Sequence, residues 1–231
     1  MITSIDNPKI KLLLKLKISK YRKKEGLFIV EGPHLVQEAK KANVLVEAYS
    51  IEEKADYITI DESIMKKICS TDSVVKEIGL CKFINKNDLT DKILILDGLQ
   101  DPGNLGTIMR SACAFGFKTI FIGNNTVDIY NDKVIRSSQG AIFKLNFLFG
   151  SCVDFLKTLT DYDVYGTNVV NGIELDSIVV NSKIAVVLGN EGNGISQEVN
   201  AILAKNIYIP MQDTESLNVA IAGSIIMYKL R

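Results

Sequence analysis

The sequence predicts an α/β protein whose back half is a parallel sheet covered by helices on both faces. Two observations carry this. From residue 92 onward, short and nearly continuous apolar runs alternate with helix-length runs, the pattern of strands buried on both faces. The turns that follow these strands are rich in Gly, Asn and acidic residues beyond what a plain connector needs. A third observation sets the organisation: the polar stretch INKNDLTDK (84–92) interrupts an earlier alternation and marks a boundary.

Taken in order, the front segment NPKIKLLLKLKISKYRKKEG (7–26) reads as one amphipathic helix. Ile10, Leu13, Leu14 and Leu16 form its stripe, and lysines surround it. An apolar strand LFIVEG (27–32) follows. Then comes a helix PHLVQEAKKA (33–42) with Pro33 in its first turn. Strand-like runs VLVEAYSI and YITI, a helix DESIMKKICS and a Gly-broken strand VVKEIGLCKF (74–83) complete an α/β unit over residues 1–85. Beyond the boundary, strands are expected at KILILDGL (92–99), KTIFIG (118–123), DVYGTNVV (163–170), KIAVVLGN (183–190) and NIYIPM (206–211). Helices are expected around 105–115, 132–139, 152–159, 195–204 and 216–230.

Composition narrows the function classes. The 231 residues carry 27 basic and 27 acidic side chains, so net charge is zero. The front 85 residues hold 15 basic and 12 acidic groups, a mild positive bias that suits a polyanion. Eight basic residues lie between Lys9 and Lys24 alone, either a phosphate grip or the solvated face of a helix. Cys69, Cys81, Cys113 and Cys152 form no CxxC pair and no zinc spacing. They read as buried free thiols in a reducing, cytoplasmic compartment. No secretory leader and no membrane-length apolar window is present, and no metal site is expected. His34, the lone histidine, follows a proline at a helix start.

Ligands of such sheets bind beyond the carboxyl ends of the strands, so three strand-to-helix turns stand out. In LDGLQDPGNLGTIMRSACAFG (96–116), Asp97, Gln100, Asp101 and Asn104 crowd one turn ahead of Arg110. The planar guanidinium suits a phosphate, although a surface arginine on a capped helix has the same appearance. VVLGNEGNGIS (186–196) reads GxxGxG. A dinucleotide fingerprint needs GxGxxG, so a nucleotide-dependent oxidoreductase is excluded, and no GxxxxGK[ST] phosphate loop occurs. In YIPMQDTESLNVAIAGSIIMYKL (208–230), Asp213 or Thr214 is placed to cap the last helix. The tail of that helix is apolar almost all round, which requires burial on more than one side.

Together, and in this order, these segments resemble the SpoU/TrmH family of RNA ribose 2′-O-methyltransferases, of the SPOUT class. DPGNLGTIMRSACAFG, GNEGNGIS and IPMQDTESLNVAIAG look like its three motifs, and VIRSSQGAIFKL (134–145) looks like a further family segment. The likeness spans about 93–231. Residues 21–39, YRKKEGLFIVEGPHLVQEA, resemble the substrate-binding domain that many members carry, which is related to kink-turn-binding ribosomal proteins.

The resemblance implies an RNA substrate-binding domain over 1–85 and a methyltransferase domain over 93–231 with a deep trefoil knot. It implies S-adenosylmethionine as cofactor, RNA as partner with rRNA favoured over tRNA, and a homodimer formed through the C-terminal domain. Arg110, Asn104, Glu191, Ser216 and Asn218 match the family's catalytic positions. A guanidinium is a poor base, so Arg110 is expected to bind phosphate and stabilise a developing alkoxide, with Asn104 orienting Arg110 or the ribose. Glu191 is expected to fix the loops or hold Arg110. Thr167, Asn168, Leu188, Gly189, Gly192, Ile209 and Leu217 are expected around the cofactor, and Lys20, Arg22, Lys23, Lys24 and Arg136 against RNA. The alternatives are a catalytically silent RNA-binding or ribosome-assembly factor and the same chemistry on tRNA.

Overall fold

The computed structural model describes residues 1–71, 75–169, 172–180 and 183–231. Its helices are α1 (Pro8–Lys15), α2 (Ser19–Glu25), α3 (Pro33–Lys41), α4 (Glu62–Ile68), α5 (Pro102–Phe115), α6 (Asp132–Ser138), α7 (Cys152–Thr158), α8 (Gln197–Asn200) and α9 (Val219–Lys229). Its strands are β1 (Leu27–Glu31), β2 (Leu45–Ser50), β3 (Ile58–Thr59), β4 (Glu77–Lys82), β5 (Lys92–Leu96), β6 (Thr119–Gly123), β7 (Asn146–Gly150), β8 (Tyr162–Thr167), β9 (Ile173–Glu174), β10 (Lys183–Leu188) and β11 (Asn206–Tyr208). Val74 and Val170, which the strand readings above include, lie outside the described residues.

The chain divides into two compact units. One holds Met1–Ile84 and Asp128–Phe143, and the other holds Asn85–Val127 and Lys144–Arg231. Segment 128–143, read in the sequence with the back half, therefore packs in the first unit. There the Tyr130 ring stacks on Phe83, with centroids 4.0 Å apart, and lies 4.6 Å from Phe28. Its hydroxyl accepts the Ile84 N–H at 2.8 Å.

The first unit is built on a mixed sheet in the order β1-β4-β2-β3. The single front helix expected over 7–26 is two helices. α1 ends at Leu16, and Ile18 is extended. The side chain of Arg22 explains the break. Its Nη1 donates to Leu16 O and Lys17 O, both at 2.9 Å, and so pairs carbonyls that the end of α1 leaves open. Nη2 meets Asp128 Oδ2 at 2.6 Å, and Nε meets the same oxygen at 3.2 Å. Arg22 is 6% exposed. Its expected role against RNA is thus corrected: the guanidinium is spent inside the unit.

The second unit is a seven-stranded sheet in the order β7-β6-β5-β10-β8-β11-β9, with every pair parallel. The expected parallel α/β architecture is borne out. Ile93, Leu94, Ile95 and Leu96 have no exposed surface, nor do Ala185, Val186 and Val187. This is why these strands are apolar without alternation. β7, NFLFG, follows a 3-10 turn over Ala141–Lys144 and was not separable from the preceding apolar run in the sequence. β10 enters the sheet between β5 and β8, which precede it in the chain. Its register sets Leu188 beside Leu96 and Val187 beside Gly166. The loops that leave β5, β8 and β10 therefore start side by side, at the carboxyl edge where the strand order reverses.

Replacing Asp128 by Ala leaves the Arg22 charge buried without its carboxylate. Stability is expected to fall by on the order of 3 kcal/mol in denaturant titration. A loss under about 1 kcal/mol would mean that the pair acts like an exposed one.

Candidate active site

The site forms where three loops of the second unit are tied together. Asp101 starts α5: its Oδ1 accepts the N–H groups of Gly103 at 2.6 Å and Asn104 at 2.9 Å, an N-cap ahead of Pro102. Helix α5 begins three residues earlier than expected, so Arg110 sits more than two turns in.

Glu191, from the loop after β10, reaches the start of the same helix. Its Oε1 accepts from Asp101 N at 2.9 Å and from Asn104 Nδ2 at 3.1 Å, and its Oε2 accepts from Gln100 N at 3.2 Å. Burial pushes the Glu191 carboxyl up, but these donors outweigh it and hold it below its ordinary value of 4.5. Asn104 passes the link onward, its Oδ1 accepting from Asn218 Nδ2 at 3.0 Å. Asn218 in turn caps α9 by accepting from Ala220 N at 2.9 Å and Ile221 N at 3.3 Å. The expected caps Asp213 and Thr214 are thus corrected to Asn218. Ser216 and Leu217 precede the helix rather than lie in its first turn.

One polar chain, Glu191–Asn104–Asn218, joins the three turns that stand out in the sequence. Further along, the Ser111 hydroxyl meets that of Ser224 at 2.7 Å. Ser224 donates to Ala220 O, so Ser111 is the donor that pins α5 to α9. Sequence reading missed this pair, and two isolated serines carry no local signal. It also missed Asn190, whose Nδ2 donates to Gly98 O at 2.9 Å while its Oδ1 accepts from Gly192 N and Asn193 N.

Arg110 is exposed and, among the described residues, makes no hydrogen bond or ion pair. Neither Asn104 nor Glu191 holds it. The other three arginines are occupied. Arg22 is buried, Arg136 pairs with Asp132 at 2.8 Å, and Arg231 lies over the Tyr228 ring and donates to Tyr228 O. Lys20, Lys23 and Lys24 are exposed on α2.

The loop after β10 is closed by reciprocal backbone bonds between Asn190 and Gly194, at 2.8 and 3.0 Å. Gly189 is required there. A Cβ on it would lie 2.1 Å from the Gly194 carbonyl carbon. Gly194 itself takes φ +67°. Thr167 donates to Val187 O at 2.9 Å, and Asn168 N donates to Ile207 O at 2.9 Å, so both stand at the mouth of the same edge. Segment 209–217 makes no backbone–backbone hydrogen bond among the described residues. It carries half-buried Ile209, Met211 and Leu217. Ser216 O accepts the Thr214 hydroxyl at 3.1 Å; apolar side chains beside the other backbone groups of this segment fit a cofactor held through its base edges and an apolar slot. No cluster of three or more His, Cys, Asp or Glu suited to a metal occurs among the described residues. Cys69, Cys81 and Cys152 are buried free thiols, and burial pushes Cys69 and Cys152 up to about 12.

A carboxyl with a depressed pKa contributes its bonds above the unfolded value and loses them as pH falls through the folded one. The Asp101 and Gln100 amides are therefore expected to be protected from hydrogen exchange at neutral pH and to lose protection below the ordinary carboxylate range. Glu191→Gln should expose one of them at neutral pH, since a carboxamide keeps one acceptor oxygen and places a donor against the other N–H. Unchanged exchange in that variant would show that Glu191 does not hold the turn.

Known proteins resemble this chain in sequence and in fold. The SpoU rRNA Methylase family profile matches residues 91–228, and the MRM3-like substrate binding domain profile matches 7–76. The chain is 34% identical over 245 residues to the 23S rRNA (guanosine(2553)-2'-O)-methyltransferase RlmP of Bacillus subtilis (strain 168), covering 100% of this chain and 98% of that protein. The solved putative TrmH-family RNA methyltransferase of Porphyromonas gingivalis superposes with TM-score 0.85 at 29% identity, over 99% of this chain and 98% of that one. The AdoMet-bound rRNA methyltransferase of Sinorhizobium meliloti has TM-score 0.88 at 23% identity, over 100% and 96%. With a profile matched over more than half its length and a whole-length relative at this identity, the chain belongs to the SpoU rRNA methylase family.

Proposed function

We propose that this protein transfers a methyl group from S-adenosylmethionine to a ribose 2′-hydroxyl of ribosomal RNA. The observation that carries this reading is Arg110, the arginine without a partner among the described residues, on the helix whose first turn Glu191 and Asn218 lock. Family membership supports it, as does the Bacillus relative named for ribose methylation of 23S rRNA. The deep knot that the resemblance implies belongs to the same reading, with β10 seated between β5 and β8.

S-adenosylmethionine supplies an electrophilic methyl group. Thr167, Asn168, Leu188, Gly189, Gly192, Ile209 and Leu217 hold it at the carboxyl edge of the sheet. In the transfer the ribose oxygen would take the methyl group as the sulfur–methyl bond breaks, leaving the neutral thioether, and the hydroxyl proton would pass to water; the oxygen gains negative charge as that proton departs. Arg110 binds the adjacent phosphate and stabilises that charge, retaining its own proton. Asn104, Glu191, Ser216 and Asn218 position the loops around the ribose, so that alignment costs little at the moment of reaction. Residues 93–231, apart from segment 128–143 that packs in the first unit, form the methyltransferase domain. Residues 1–85 bind RNA through Lys20, Lys23 and Lys24. The compartment is the cytoplasm, and no described helix is long and apolar enough to cross a membrane.

The protein acts as a homodimer through α9. Ile221, Ile225 and Tyr228 share one face of that helix at 53%, 39% and 54% exposure, a stripe at helical spacing that a monomer leaves in water.

The test is transfer of radiolabelled methyl to transcripts of large-subunit rRNA, small-subunit rRNA and tRNA. Label in rRNA is expected. Arg110→Ala should lower the rate by about 100-fold or more and leave cofactor binding intact. A wild-type rate in that variant overturns the role of Arg110. Cofactor binding without label in any RNA favours a silent binder. Ile221→Asp with Ile225→Asp should halve the mass seen by sedimentation, and an unchanged mass would exclude this face as the interface.

A further inference from the structure

The first unit holds a cavity of about 150 Å³, well above the ~15 Å³ that one water needs. Ile29, Ile68 and the ring of Tyr130 form walls, Glu31 and Asp132 supply carboxylates, and exposed Lys17 stands at its edge. The Glu31 side chain is only 7% exposed. Its Oε1 accepts the Ser70 N–H at 3.0 Å. Its Oε2 is buried and has no hydrogen-bond partner among the described residues. The nearest cation, Arg136 Nη1, is 3.9 Å away and is already bonded to Asp132 at 2.8 Å. A buried carboxylate oxygen without a donor is costly. Glu77 Oε2 in the same unit is also unpaired among the described residues, but Glu31 is the one of the two that lines the cavity, and there its oxygen marks a place for a donor from outside.

The Tyr130 ring is held by Phe83, Phe28 and the Ile84 amide, so this wall is rigid. A cavity that sets aliphatic and aromatic walls beside a hydrogen-bond acceptor suits an unstacked base of single-stranded RNA, which is read through its edge. Lys17 at the edge, and Lys20, Lys23 and Lys24 on α2, supply cations for the backbone of such a strand.

We propose that this cavity binds one extruded, amino-bearing base of the RNA substrate, with the exocyclic amino group donating to Glu31 Oε2. Adenine, cytosine and guanine carry such a group. Uracil presents a carbonyl oxygen there, which a carboxylate repels. The site reads sequence or loop identity in the substrate-binding unit, apart from the methyl-transfer chemistry, and it rests on the reading of this chain as an RNA methyltransferase.

The experiment measures binding of the full-length protein to single-stranded 10-nucleotide RNAs, each a uridine run with one central A, C, G or U, by fluorescence anisotropy. The all-uridine strand is expected to bind about tenfold more weakly, the ratio that one hydrogen bond to a charged acceptor supports. Glu31→Gln keeps the shape and the Ser70 contact but offers a donor in place of Oε2, so the preference should turn toward uracil. A merely structural glutamate would alter all four affinities together, and that result overturns the proposal. Ile29→Phe, which fills the cavity from a half-buried position, should erase discrimination without inverting it. If Glu31→Gln fails to fold, retained discrimination in Ile29→Phe overturns the proposal. Equal affinities in the wild type mean that the cavity holds water only. Methyl transfer to rRNA in parallel separates the two readings: transfer without base discrimination removes the base site alone, whereas absence of both removes the RNA methyltransferase reading as well.

Discussion

The carboxamide of Asn104 is the interaction on which the candidate site depends. It donates to Glu191 and accepts from Asn218 at the same time. A carboxylate cannot donate and an ammonium cannot accept. The carboxamide is a planar group that does both in fixed directions. Asn104 and its two partners come from three turns far apart in the chain, so each bond closes a long stretch of backbone. The enabling constraint lies one level lower. Because β10 enters between β5 and β8, Leu96 and Leu188 end side by side. The loops beyond them then separate by no more than a side chain's reach.

A second principle is visible in how the chain uses cations. A guanidinium binds several acceptors in one plane, and Arg22 uses this fully. It closes the end of α1, bonds Asp128 and is hidden from solvent. Asp128 belongs to a segment that leaves the second unit's sequence and returns to the first. Burial pushes the Asp128 carboxyl up, yet Arg22 and the neighbouring donors hold it below its ordinary range. The pair is therefore charged, and it binds the returning segment to the unit it joins.

Legibility in the sequence follows the range of the interactions involved. β5, β10, α3 and α5 were readable, because apolar runs, an N-terminal proline and an αL glycine at Gly116 are local signals. Asn104, Glu191 and Asn218 were readable as a set only through family likeness, since nothing local pairs residue 104 with residues 191 and 218. Where a distant partner decided the outcome, local reading failed. The front helix was read as continuous, because the break depends on where Arg22 turns its side chain. The cap of α9 was placed at Asp213 or Thr214, because three polar residues compete there and only Asn218 has a helix above it. Arg22 looked like one more cation in a basic run. Its neighbours Lys20, Lys23 and Lys24 are solvated, and no property of the run distinguishes them from it.

The same contrast explains why one unpartnered arginine is informative in a chain with 27 basic residues. Lysines in water cost little and mean little, since a flexible ammonium is well hydrated wherever it stands. An arginine that bonds nothing forgoes a geometry the residue type is suited to, and here the other three do not forgo it. Arg110 sits on the helix that the Asn104 link ties to α9, with Ser111 pinned to Ser224 one residue further on. The backbone that carries it is thus held at both ends while the charge is left open. Chemistry that builds negative charge on an oxygen needs that combination: a cation fixed in place before the reaction, with no partner to be displaced when the charge appears.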